Sequence, residues 1–186
     1  MLWNCRGLGN AATVRELSSL VRELGPKFVF LCETRQNIEK VRRLRNRIGL
    51  KGCTGVSSEG MSGGLALFWD ESVQVEIKGI NGRYIDAYVR LSLNDPWWHI
   101  TFVYGEPRVE NRHHMWSMLK ALKQSSTLPG IVLGDFNEAL WQFEHFSKRK
   151  RNESQMQAFR DTLLQCELYD MGFKGVPYTS DNKREG

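Results

Sequence analysis

Gly130-Ile131-Val132-Leu133-Gly134-Asp135-Phe136-Asn137 is an apolar run with β-branched residues, entered from Pro129 and left through Gly134. Such a run reads as a buried strand. It brings a carboxylate and a carboxamide, two residues apart, to the rim of a sheet. With a side-chain period of two, Asp135 and Asn137 point the same way. An acid that takes a proton from water, beside an amide that donates to a phosphate oxygen, suits phosphoester hydrolysis. A strand-ending turn uses the same residue types, so the tetrapeptide alone leaves both readings open.

Other apolar runs also end on polar residues. Leu2-Trp3-Asn4-Cys5 reads as a short strand, followed by a loop of Gly7, Leu8, Gly9 and Asn10. Asn10 or Thr13 is placed to cap a helix over residues 14–24, with Leu17, Leu20, Val21 and Leu24 on one face. Gly25-Pro26 stops it. Phe28-Val29-Phe30-Leu31-Cys32 is a second buried strand, ending at Glu33-Thr34. A basic helix is expected over residues 38–48, with Val41, Leu44 and Ile48 inward. Strands are then expected at 52–57, 64–69, 73–77, 84–91 and 98–104. Their spacing, with Asn-Gly and Asn-Asp-Pro turns, argues for hairpins in antiparallel or mixed sheets. Helices are expected at 111–123, with Met115, Met118, Leu119 and Leu122 inward, and at 155–166, with Met156, Phe159, Leu163 and Leu164 inward. Strands outnumber helices, which fall between blocks of strands. That order fits two packed sheets flanked by helices.

The bulk composition narrows the class. The chain has 186 residues, of which 41% are hydrophobic and 25% charged, the make-up of one globular domain. No apolar stretch approaches the roughly 18 residues that span a bilayer. Met1-Leu2-Trp3-Asn4-Cys5-Arg6 lacks the apolar region of a signal peptide. The expectation is an intracellular protein, nuclear or cytoplasmic, neither secreted nor membrane-bound. Cys5, Cys32, Cys53 and Cys166 include no CxxC pair, which argues against a zinc or redox site. Cys5 and Cys32 read as small buried hydrophobes. The net charge of +5 suits a polyanionic partner. It is uneven: Lys40, Arg42, Arg43, Arg45, Arg47 and Lys51 crowd one segment, and Lys148-Arg149-Lys150-Arg151 forms a second block. Each block is either a solvated face or a phosphate-contacting surface.

If the strands share one core, Asn4, Glu33, Asp135 and Asn137 converge at one rim. A hard cation such as Mg²⁺ takes carboxylate oxygens and keeps several waters, which makes Glu33 the first candidate ligand. Asp135 is then the water-activating base, and Asn4 and Asn137 hold phosphate oxygens. Tyr104, ending Ile100-Thr101-Phe102-Val103-Tyr104, places a hydroxyl at the same rim.

As a set, Trp3-Asn4, Glu33-Thr34, Tyr104-Gly105 and Gly134-Asp135-Phe136-Asn137 resemble the motifs of the endonuclease/exonuclease/phosphatase superfamily, in its order and at family-like spacing. A closer resemblance is to the endonuclease domains of plant non-LTR retrotransposons. It rests on Trp3-Asn4-Cys5-Arg6-Gly7-Leu8-Gly9, Gly63-Gly64-Leu65-Ala66-Leu67, Tyr104-Gly105-Glu106-Pro107 and Gln155-Met156 leading to Phe159-Arg160. Gly172-Phe173-Lys174-Gly175, Tyr178-Thr179 and Asn182-Lys183-Arg184-Glu185-Gly186 add to it.

The resemblance implies a four-layered α/β sandwich that cleaves phosphodiesters of DNA with Mg²⁺, Mn²⁺ being an alternative. It implies Glu33 as metal ligand, Asp135 as base, and Asn4, Tyr104 and Asn137 as phosphate and active-site stabilisers. Thr179, Arg149, Lys150, Arg151 and Arg43 are the expected nucleic-acid contacts. The family pattern also continues into an Arg-Leu-Asp-like and a Ser-Asp-His motif, whose His is central to catalysis. Neither occurs here, and His99, His113, His114 and His145 lie in other contexts. The expectation is therefore a single, C-terminally incomplete domain over residues 1–186, monomeric with an aggregation-prone edge. It should bind Mg²⁺ weakly and show impaired or no turnover. A phosphomonoesterase or inositol-phosphate phosphatase on the same scaffold, and a non-catalytic nucleic-acid-binding remnant, are the alternatives.

Overall fold

Eight strands form two four-stranded sheets among the residues that the computed structural model describes, 1–60, 62–144 and 150–172. These residues divide into two units. The first is Met1–Gly105 with Leu128–Asp135; the second is Glu106–Thr127 with Phe136–Gly186.

The first unit runs β1 (Leu2–Asn4), α1 (Ala11–Leu24), β2 (Phe28–Cys32), α2 (Ile38–Arg42), α3 (Arg45–Ile48), β3 (Gly52–Val56), β4 (Leu65–Trp69), β5 (Gln74–Ile80), β6 (Tyr84–Arg90), β7 (Trp98–Tyr104) and β8 (Gly130–Asp135). One sheet has the order β1-β2-β4-β3, the other β5-β6-β7-β8. Both are mixed. β1 lies parallel to β2 and β8 parallel to β7, while the other pairs are antiparallel.

Alternation divides each inner strand between two layers. Phe30 and Cys32 of β2 and Leu65 and Leu67 of β4 pack with Ile85, Ala87 and Val89 of β6 and Ile100, Phe102 and Tyr104 of β7. The Phe30 and Phe102 rings lie 5.4 Å apart between centroids. Full burial of each such ring contributes about 1.5–3 kcal/mol. The other parity of the first sheet, Val29, Leu31, Ala66 and Phe68, packs with Leu17 and Val21 of α1, Val41 of α2 and Ile48 of α3.

Asn10 caps α1, its Oδ1 accepting from Ala12 N–H at 2.8 Å, and Gly25 ends it in the left-handed region at φ 53°. The helix expected over 38–48 is two helices. Leu44 N–H bonds back three residues to the Val41 carbonyl, and this tighter turn separates α2 from α3. The run forming β8 reads in the sequence as a buried strand. It is half-buried and lies at the end of its sheet among the described strands. An apolar run bounded by turns does not distinguish a central strand from an end one.

The second unit contains α4 (Arg112–Gln124), entered through a 3₁₀ turn, and α5 (Glu153–Gln165). Trp116 stacks on Phe159 at 4.8 Å, and Phe136 lies 5.2 Å from the same ring. Met115, Leu119, Met156 and Cys166 are buried with them. Leu164, expected inward, is 72% exposed, and Thr162 is buried in its place. Met156, Phe159, Thr162 and Cys166 follow the i, i+3, i+6, i+10 line of one helical face, which Leu164 leaves. The Glu138 carboxylate, with a fully buried side chain, takes Arg112 on one oxygen and Arg151 at 2.7 Å on the other.

Candidate active site

Parallel pairing aligns the carboxyl ends of neighbouring strands. β1 and β2 pair with Asn4 opposite Cys32, so Asn4 and Glu33 leave the first sheet together. β7 and β8 pair with Tyr104 opposite Asp135, so these two leave the second sheet together. The four side chains meet. Asn4 Nδ2 donates to Glu33 Oε1 at 2.9 Å and to Asp135 Oδ2 at 3.0 Å. The Tyr104 hydroxyl donates to Glu33 Oε1 at 3.0 Å. Arg35 Nη2 donates to Glu33 Oε2 at 2.9 Å. Two carboxylates accept only, so the Asn4 amide must face them with its nitrogen. Its oxygen accepts from Arg6 N–H at 3.3 Å, which fixes that orientation.

The backbone around these strand ends is unusual. Five non-glycine residues among those described have positive φ, and four follow a site strand closely: Arg6 (48°), Glu33 (54°), Arg35 (50°) and Asn137 (54°). Each such residue costs on the order of 1–3 kcal/mol and persists where its surroundings over-determine it. Hydrogen bonds do so here: Thr34 N–H donates to the Gly64 carbonyl at 3.1 Å and Arg35 N–H to the Gly63 carbonyl at 3.0 Å. Gly64 has φ +84°, and a Cβ there would lie 2.2 Å from Thr34 Oγ1. Only glycine closes this approach.

Electrostatics give Glu33, Tyr104 and two nearby thiols a protonation state. Burial alone pushes the Glu33 carboxyl up, but hydrogen bonds from Asn4, Tyr104 and Arg35 outweigh it, and the net shift is down. Glu33 is therefore an anion at neutral pH. Burial, then the bond to Glu33, pushes the Tyr104 phenol well up, so its hydroxyl stays a donor. Cys5, whose Sγ donates to the Cys32 carbonyl at 3.3 Å, is raised by burial to about 11. Burial likewise raises Cys32. Both thiols remain protonated beside the carboxylates.

A depressed carboxyl pKa contributes stability that is present above the unfolded-state value and is lost as pH falls through the folded one. For Glu33 that window lies below the ordinary glutamate range. Tyr104→Phe removes one of the lowering bonds and should raise the Glu33 pKa, moving the loss to higher pH. An NMR titration of the Glu33 side-chain carboxyl checks this. An unmoved midpoint would show that Tyr104 does not hold the charge.

Asn137 lies two residues beyond Asp135, in the second unit. β8 ends at Asp135, so the period-two relation between these side chains stops there. Arg151 Nη1 donates to the Asn137 carbonyl at 3.4 Å. Arg43 and Lys150 are exposed, whereas Arg151 is half-buried on Glu138. Arg149 and Thr179 lie outside the described residues, as does His145. His99 is buried, its Nε2 2.7 Å from Asp86 Oδ1, and His113 Nδ1 meets the Glu110 carbonyl at 2.9 Å. Arg35 was not anticipated as a site residue. Its only signal was its place two residues after Glu33.

Among the described residues, no three His, Cys, Asp or Glu side chains gather as a metal cage. The donor set is two carboxylates sharing one amide. It fits a hard cation that keeps its waters and takes the rest of its shell from substrate, as Mg²⁺ does. No described helix is long and apolar enough to cross a membrane.

The sequence matches the Endonuclease/Exonuclease/phosphatase family over residues 1–183. A search of the curated proteins gives no match. Among solved structures, the AP endonuclease LMAP from Leishmania major is similar, with a TM-score of 0.66 at 16% identity over 89% of this chain. This chain spans 65% of that one. A 3′ phosphatase, NExo from Neisseria, bound to product DNA hairpin, gives 0.67 at 17% identity, covering 88% of this chain and 69% of that one. The endonuclease domain of TRAS1, a telomere-specific non-LTR retrotransposon, gives 0.65 at 13% identity, covering 94% and 73%. The two mixed sheets with flanking helices are the α/β-sandwich fold of these structures.

Proposed function

The chain belongs to the endonuclease/exonuclease/phosphatase family, and from that premise we propose that it is a divalent-metal-dependent phosphodiester hydrolase domain of retroelement type, acting on DNA. Family members are in general nuclease- or phosphatase-type hydrolases that depend on a divalent metal. The observation that carries the reading for this chain is the Asn4 amide joining Glu33 of one sheet to Asp135 of the other.

In this reading Asp135 accepts a proton from the attacking water. Asn4 holds that carboxylate, and Tyr104 holds Glu33 through a hydroxyl that stays protonated. Glu33 would hold the cation, Mg²⁺ or Mn²⁺, which when bound supplies charge against the phosphate oxygens. Asn137 donates its amide to a phosphate oxygen. Arg43, Arg149, Lys150 and Thr179 contact the DNA backbone, and Arg151 shares that duty with its bond to Glu138. Among the described residues the cluster consists of the Glu33 and Asp135 carboxylates, the Asn4 amide, the Tyr104 phenol and Arg35, with no imidazole. Neutral amides orient phosphate but do not match the charge of an imidazolium, so turnover by this chain is slow or undetectable and Mg²⁺ binding without DNA is weak.

The test uses supercoiled plasmid with the chain in excess, at several Mg²⁺ concentrations. Glu33→Ala and Asp135→Ala should each lower any nicking by about 10²–10³-fold, to background. In parallel, Glu33→Ala should abolish the heat of Mg²⁺ binding. Nicking or Mg²⁺ binding undiminished in these variants would remove the assignment. Preference for a terminal or small phosphomonoester over duplex DNA would move the substrate to the phosphatase side.

A further inference from the structure

The two oxygens of Glu33 have unlike partners. Oε1 accepts from two neutral groups, the Asn4 amide and the Tyr104 hydroxyl. Both are anchored: Tyr104 is 6% exposed, and Asn4 is held from behind by Arg6 N–H. Oε2 accepts from one charged group, Arg35. The Arg35 side chain is 41% exposed, against 18% for Glu33. Its backbone is pinned to Gly63 with φ 50°, and its stem passes Gly7, where an added Cβ would lie 3.7 Å from Cδ. The main chain is fixed, and the partly exposed side chain is held at its tip by Glu33.

A carboxylate oxygen offers about two lone pairs. On Oε1 both are taken by donors rooted in strands. On Oε2 one remains, beside a guanidinium. A divalent cation at that oxygen would sit against a like charge, which is unfavourable at close range in a half-buried site. The cation and Arg35 therefore compete for Oε2, and the exposed side chain is the one that can yield. A released guanidinium, tethered by its rigid backbone, has a planar fork suited to two phosphate oxygens.

We propose that Arg35 is a placeholder for the divalent cation: it holds Glu33 Oε2 while the cation is absent, gives up that oxygen when the cation arrives, and turns its guanidinium to the substrate phosphate. The inference rests on the reading of Glu33 as metal ligand. Its consequence is coupling. Cation binding frees Arg35 for DNA, so each ligand strengthens the other by the same factor. Without the cation, the pair with Arg35 keeps the half-buried carboxylate compensated.

Calorimetric titration of the whole chain with Mg²⁺, and separately with Mn²⁺, tests this without turnover. Arg35→Gln should bind Mg²⁺ about three- to tenfold more tightly than the wild type, the scale of an exposed ion pair plus relieved repulsion. Arg35→Lys should fall between the two, and Glu33→Gln should lose the ion. In a second arm, binding of a short DNA duplex by Arg35→Gln should weaken about tenfold in Ca²⁺ but less than twofold in EDTA, where Arg35 is already engaged. Unchanged or weaker Mg²⁺ affinity in Arg35→Gln, with Glu33→Gln still losing the ion, overturns the placeholder and leaves the metal ligand standing. Equal loss of DNA affinity in Ca²⁺ and EDTA also overturns it. Mg²⁺ retained by Glu33→Gln overturns both readings. Arg35→Lys preserves the charge, so a folding defect confined to the glutamine variant, seen in its thermal melt, does not decide the matter in place of the lysine result.

Discussion

Gly134→Ala should destabilise this protein by about 3 kcal/mol or more, beyond the usual cost of one extra methyl in a packed region. Gly134 stands opposite Val103 in the parallel pair of β7 and β8. A Cβ there would lie 1.9 Å from the Val103 carbonyl oxygen and 2.5 Å from Val103 Cγ2. A side chain could rotate away, but a carbonyl in a sheet ladder cannot move without the strand. β8 must shift, and with it Asp135, the next residue. Urea unfolding followed by far-UV circular dichroism gives the measurement. Gly82→Ala is the control, since a Cβ there meets nothing within 4 Å; it should change stability by less than about 0.5 kcal/mol. A Gly134→Ala midpoint equal to that of the control would mean that β8 tolerates displacement.

Glu138→Ala should cost about 3–5 kcal/mol, the loss seen when one member of a buried ion pair is removed. The Glu138 side chain is fully buried and serves two arginines, Arg112 at 9% side-chain exposure and Arg151 at 25%. Arg112 keeps bonds to the Glu106 and Pro107 carbonyls, and Arg151 Nη1 keeps the Asn137 carbonyl. Those carbonyls carry no compensating charge. Glu138→Gln retains the shape and should cost less, and adding Arg112→Met to Glu138→Ala should recover part of the loss. Thermal unfolding of the three variants tests the network. A Glu138→Ala loss below about 1 kcal/mol would show that both guanidiniums reach water freely.

The elements that local patterning governs were legible in the sequence. The strand at 98–104 has the predicted limits because its alternation sets Ile100, Phe102 and Tyr104 together on one core face. Asn10 and Gly25 bound α1 as their chemistry dictates. The strand ends at Asn4, Glu33, Tyr104 and Asp135 could be identified because a polar residue following an apolar run marks a rim. Strand order was not legible. That β4 inserts between β2 and β3 depends on pairings across the chain, and no local period encodes them. Arg112 was unreadable as a buried residue, because its burial is tolerable only through Glu138, 26 residues away. Arg35 looked like any solvated arginine, since Glu33 is its partner only where both backbones are left-handed.

The Asn4 bridge to Asp135 has a consequence for the order of events during synthesis. The two residues are 131 positions apart. The described strands of the first sheet have all been made by Trp69, when the strands that will cover Phe30, Leu65 and Leu67 are not yet made. Contacts of such long range pay their loop-closure cost late and slow folding. Until β6 and β7 leave the ribosome, that face is uncovered and open to wrong partners. The Asn4–Asp135 contact, and with it the proposed hydrolytic centre, cannot exist in any intermediate that lacks β8. On the proposed reading, a nascent chain has no means to cut nucleic acid until β8 has been made.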